Sequence, residues 1–124
     1  MNAQSVISAA DSIRPNLVDA DVKYRWLNMA EKQVESVMCM YGEREPQTGG
    51  VLTAESQMLL GSEYTDMYAY YVVAMIDLAN QNISMYNNSV AMFETLYDSW
   101  RKKWRRENLP QKITHIKASG GDIT

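Results

Sequence analysis

Cysteine occurs once, at Cys39, and histidine once, at His115. That excludes a disulfide framework within the chain and a metal site of the Cys/His type. Glycine and proline together number nine, too few for an all-β chain that turns roughly every 8–12 residues. No apolar run is long enough to cross a bilayer, since the longest, residues 67–76, is closed by Asp66 and Asp77. The N-terminus lacks the basic stretch and apolar segment of a secretory signal, so an intracellular product is expected. Phenylalanine is nearly absent as well. One Phe stands against eight Tyr, three Trp and nine Met.

What is present fits one folded domain. Of the 124 residues, 46% are apolar and 22% charged, which excludes disordered, collagen-like and mucin-like chains. A chain of this size buries about two thirds of its surface on folding, so it needs neither a disulfide nor a metal for stability. The formal charge of −3 gives no signal for bulk nucleic-acid binding. The charge is unevenly placed, however. Residues 94–124 hold seven Lys/Arg and four Asp/Glu, a net +3, which leaves −6 on residues 1–93.

Hydrophobic spacing predicts an all-α fold, a small bundle of about four helices centred on a long antiparallel hairpin. The first helix covers about residues 3–13, with Val6, Ala10 and Ile13 on one face, and is closed by Arg14-Pro15. The second follows Asp19 as N-cap and runs to Tyr41, with Gly42 as its stop. Leu27, Ala30, Val34, Val37 and Tyr41 form its inner face, leaving Lys23, Glu31, Lys32 and Glu35 largely outside. Residues 43–62 read as an irregular loop broken by Pro46 and Gly49-Gly50, with Val51-Leu52 and Met58-Leu59-Leu60 tucked onto the helices.

The third helix, about residues 63–81, is apolar nearly all round and belongs in the middle of the bundle. Asn80-Gln81-Asn82 gives a tight connection to the fourth, about residues 83–107. There Tyr86, Val90, Phe93, Tyr97, Trp100 and Trp104 make a heptad-like seam for packing on the third helix. Asn108 and Pro110 end it. The domain reading is therefore a helical body, residues 1–110, and an extended tail, residues 111–124.

No nucleotide-binding, zinc-protease or serine-hydrolase motif occurs. His115 stands in the tail without a partner, and Cys39 reads as a small buried hydrophobe. Asp66 and Asp77 are three turns apart on one face, about 16 Å, too far for a glycosidase pair. No catalytic, cofactor-binding or metal-binding residue is assigned, and no enzyme activity is expected. Asp77, inside an apolar helix, reads either as an anchor for an Arg or Lys of this chain or a neighbour, or as an ordinary hydrogen-bonded or solvent-facing acid. Arg101, Lys102, Lys103, Arg105 and Arg106 complement the dipole at a helix C-terminus. Their plain reading is a solvated helix end. Their functional reading is a surface for phosphates or for an acidic protein.

Three stretches carry a resemblance: Arg25-Trp26-Leu27-Asn28, then Tyr68-x-Tyr70-Tyr71-x3-Met75-Ile76-Asp77-Leu78-Ala79-Asn80, then Tyr86-Asn87-Asn88-Ser89-x3-Phe93-x3-Tyr97. Over about residues 4–110 the chain resembles the small head–tail connector, or adaptor, proteins of tailed bacteriophages and prophages. The pairing of Ile-Asp-Leu-Ala-Asn with Tyr-Asn-Asn-Ser in adjacent helices is its most specific part. It departs at Gly61-Ser62-Glu63, where related sequences often begin the helix with a proline.

The resemblance implies an all-α structural subunit of the virion, found in the host cytoplasm during assembly. Such subunits form a ring, typically twelve-fold, beneath the portal protein. They extend the channel for double-stranded DNA, without sequence specificity, and hold the stopper or tail-completion protein. Neither a cofactor nor a membrane is involved. Arg101, Lys102, Lys103, Arg105, Arg106, Lys112 and Lys117 are then candidate contacts with partners or channel DNA. Tyr70, Asp77, Met85 and Met92 are candidate subunit contacts. Residues 113–117 are expected to order on assembly by adding a strand to a partner. The competing reading is a small helical nucleic-acid-binding or regulatory protein that uses the basic cluster. Against it stand the sequence pI of about 5.1 and a third helix too apolar to enter a groove of DNA.

Overall fold

A computed structural model describes residues 1–42 and 50–109. The fold is all-helical, with helices α1 (Ala3–Ile13), α2 (Ala20–Met40), α3 (Thr65–Ala79) and α4 (Ile83–Glu107). A single turn of 3-10 helix, Ser62–Tyr64, leads into α3. The most extensive contact is between α3 and α4, the expected hairpin, with α1 and α2 also packed on α3. The third helix is thus the hub. Met67, Tyr68, Ala69, Val72, Val73 and Ile76 are buried on it, because an apolar helix reaches its stable state only when covered on several sides.

The hairpin turn is built from local hydrogen bonds. Gln81 adopts a left-handed φ of 59°, the Asn82 amide donates to the Asp77 carbonyl, and the Asn82 side chain accepts from the Met85 amide. That reversal ends α3 at Ala79, two residues before the expected end at Gln81. At the other end, the 3-10 turn delays its start to Thr65.

The first turn of α1 is capped from two directions. Asn2 Oδ1 accepts from the Ser5 amide, while the Ala3 and Gln4 amides donate to the carbonyls of Ser56 and Ala54. This pins residues 54–58 along the start of α1 and carries Met58 and Leu60 into the core. Leu52 and Leu59 pack partly against it, but Val51, expected to tuck in, is exposed. At the end of α2, a Cβ on Gly42 would stand 3.0 Å from the Met38 carbonyl oxygen and beside Trp104 and Asn108. A bare α-carbon there leaves room for the Met38 carbonyl, while the α4 atoms would stand at ordinary contact distance.

Two further sequence expectations are corrected by burial. Lys23, Glu31 and Glu35 lie inside rather than outside. The reason is that α1 and residues 58–60 cover a second face of α2. Lys23 Nζ bonds Asp11 of α1 at 2.9 and 3.1 Å, and Glu31 accepts from the Leu59 amide at 2.7 Å and from the Tyr68 hydroxyl. The second correction concerns α4, which buries only Ser89, Phe93 and Trp100. Its contact line on α3 is turned away from the expected seam, so Tyr86, Val90, Tyr97 and Trp104 are half-buried toward α2.

Candidate functional site

The polar anchor of the hairpin is Asp77. It is 1% exposed, and its carboxylate accepts from Arg14 Nε at 2.7 Å and from Ser89 Oγ at 2.7 Å. One acid thereby ties the end of α1, the last turns of α3 and the second turn of α4. The alternative of an Arg of the same chain is the one realised. As a subunit contact Asp77 is corrected, because its carboxylate is closed within the fold.

The other candidate subunit residues differ in burial. Tyr70 is half-buried against the core, Met85 is half-buried near the start of α4, and Met92 is exposed. Arg101, Lys102, Lys103, Arg105 and Arg106 are all exposed on the last turns of α4. Arg101 is held by Asp98 at 2.8 Å and lies 6.0 Å from the centre of the Tyr97 ring. Lys112, Lys117, His115, the strand expected at 113–117 and residues 43–49 lie outside the described residues.

The surface feature that sequence reasoning missed lies between α2 and α4. These helices run side by side in the same direction over α3, yet make no extensive contact with each other. Three adjoining hollows follow from that separation. The first, about 190 Å³, is floored by Tyr71, Ala74 and Met75 and flanked by Gln33 and Phe93. The second, about 440 Å³, lies among Lys32, Val37, Met40, Tyr41, Tyr97 and Arg101. The third, about 50 Å³, is lined by Tyr41, Arg101, Lys102 and Arg105. Gln33 joins the first to the second, and Tyr41 with Arg101 joins the second to the third.

Together they form one groove with an aromatic floor and a basic rim. A ladder of rings stiffens its α4 wall, with Tyr71 edge-on to Phe93 at 5.2 Å and Phe93 stacked on Tyr97 at 5.3 Å. The ladder continues through Trp100 to Trp104. Burial raises the pKa of the Tyr71 and Tyr97 phenols above the ordinary value, with Arg101 partly opposing the shift at Tyr97. Both phenols stay neutral at physiological pH, so the charge in the groove comes from its Lys and Arg rim and from Glu94 in the first hollow, with Arg101 already paired to Asp98. At the same end the Trp104 indole N–H is shielded from water and has no acceptor.

Among the described residues no group of three or more His, Cys, Asp or Glu is placed to hold a metal ion. No helix among them is long and apolar enough to cross a membrane. Comparison with protein-family models, with curated proteins and with solved structures found no match for this chain.

Proposed function

We propose that this chain is a structural head–tail connector subunit of a tailed bacteriophage or prophage, acting as a ring under the portal protein. The observation that carries the reading is the Asp77–Ser89 bond at 2.7 Å. Asp77 belongs to the Ile-Asp-Leu-Ala-Asn stretch and Ser89 to the Tyr-Asn-Asn-Ser stretch, the two pieces whose pairing is the most specific part of the resemblance. Here the two stretches meet in a buried, charge-assisted contact, which supports reading them as one packing unit.

The surface agrees with an assembling subunit. The longest helix buries three of its 25 residues, and its exposed basic end adjoins a preformed aromatic groove. In a ring many copies of that end act collectively on channel DNA, although one copy carries too few charges to bind it alone. The partners in this reading are further copies of the chain, the portal, a stopper or tail-completion protein, and passing duplex DNA. Localisation to the virion is part of the same proposal.

The genetic test is a stop codon placed early in the gene within its phage or prophage. Electron microscopy of the lysate is expected to show heads and tails that fail to join, with joining restored by the gene supplied in trans. Normally joined, infectious particles without the protein would overturn the reading.

A further inference from the structure

The connection between α1 and α2 presents a feature that matches the groove. Leu17 has its whole side chain in solvent, with a relative exposure of 102%. It is not on a loose loop. Pro15 fixes the backbone on one side, and Val18 packs against the core on the other. Between them, the Asn16 side chain donates to Asp11 at 2.9 Å and to the Arg14 carbonyl at 2.8 Å, and accepts from the Val18 amide at 3.0 Å. Asn16 is thereby a clamp that holds Leu17 outward. Asp19 and Asp21 follow directly and are both exposed. The result is a rigid apolar knob with an acidic flank.

The groove offers the complementary surface, with Tyr41 and Tyr97 inside, exposed Met40 at its edge, and Lys32, Arg105 and the Asp98-paired Arg101 at its rim. Knob and groove lie at opposite ends of α2, whose 21 residues span about 30 Å. A chain therefore cannot fill its own groove with its own knob. We propose that the groove between α2 and α4 receives Leu17, Asp19 and Asp21 of a second copy. Such a contact is head-to-tail, the kind that closes into a ring when its rotation permits. It rests on the ring-forming reading above and names the surfaces that would make the ring. Because both surfaces are preformed, little ordering entropy opposes the contact, and its opposite charges favour the correct register.

The test mixes two preparations of the full chain. In one, Leu17→Cys on a Cys39→Ser background carries a nitroxide spin label at position 17; the other is 15N-labelled and unmodified. Amide signals of Met40, Tyr41, Tyr97 and Arg101 in the second preparation are expected to broaden, and to recover at high salt. Asp19→Lys with Asp21→Lys in the labelled copy should weaken the effect about tenfold, and pairing with Lys32→Glu, Arg101→Glu in the other should restore most of it. No broadening at millimolar concentration, or broadening centred elsewhere, overturns the proposal. Copies that join a portal ring without this signature would leave the connector function standing and remove this interface. Copies that show the signature but never join a portal would do the reverse.

Discussion

At the residue scale the side chains that matter most are the polar ones at the centre. Asp77 is closed in by Arg14 and Ser89, and a carboxylate so placed is costly to leave unpaired. Arg14→Ala is expected to destabilise the fold by about 3 kcal/mol, because the buried acid keeps only the serine hydroxyl. Ser89→Ala should cost about 1 kcal/mol, because the ion pair survives. Chemical denaturation of the two variants reads the difference directly; equal effects would mean that Arg14 reaches solvent instead of holding Asp77.

Tyr68 gives a second prediction at this scale. Burial, then the Glu31 charge and the hydrogen bond to it, push its phenol well above the ordinary value. A raised folded pKa means that the stability is fully present below about pH 10 and is lost as pH rises beyond it, since only the unfolded chain ionises there. The loss is about 1.4 kcal/mol per pH unit for each such group. Tyr24, Tyr71 and Tyr97 are shifted in the same direction, so several groups share the alkaline decline. Tyr68→Phe is expected to flatten the curve of unfolding free energy against pH between 9.5 and 11 by one group's share. An unchanged slope would place the Tyr68 hydroxyl in water.

At the scale of elements, the periodicity of the sequence contained the helices because the hub principle is local. An apolar α3 flanked by amphipathic neighbours has few other ways to bury itself. The bounds of α1 and α4 follow from Arg14-Pro15, Asn82 and Asn108, whose backbone chemistry is short-range. What spacing could not contain is which side of a two-faced helix is covered. Lys23 and Glu31 look external on a helical projection, yet Asp11 and residues 58–60, distant in sequence, close over them. The same holds for α4. Tyr97 and Trp104 fit a heptad seam, but the helix is rotated so that Ser89 meets Asp77, and the aromatics become the wall of a groove.

The connection between α3 and α4 contains the one non-glycine residue with positive φ among the described residues, Gln81. A side chain in that conformation costs about 1 kcal/mol, which glycine would not incur. Gln81→Gly is therefore expected to leave the melting temperature unchanged or to raise it by a few degrees, even though glycine loses more entropy on folding. A marked fall would indicate that the Gln81 side chain makes a contact worth more than the strain.

At the scale of the whole molecule, the excess of Tyr, Trp and Met divides into two populations. Tyr68, Met67 and Trp100 fill the core, whereas Tyr71, Met75, Tyr86 and Tyr97 line the groove, and Met40 and Met92 are exposed. The first population makes the subunit fold. The second is a half-exposed apolar surface between α2 and α4. Exposed Arg and Lys of the last turns of α4 lie beside it, and exposed Asp19 and Asp21 stand at the far end of α2. Removing residues 111–124 is expected to preserve the helical circular dichroism and melting transition of the body while weakening association with a portal. Undiminished association would exclude a role for the tail in joining.

As proposed, the chain adds to a portal ring. The most direct measurement is the native mass of the product when the purified protein is mixed with a candidate portal protein. A connector subunit adds a whole ring of 14.2 kDa copies, matching the symmetry of the portal, to give a single discrete species. A protein that stays monomeric at every ratio and never comigrates with the portal would contradict the claim.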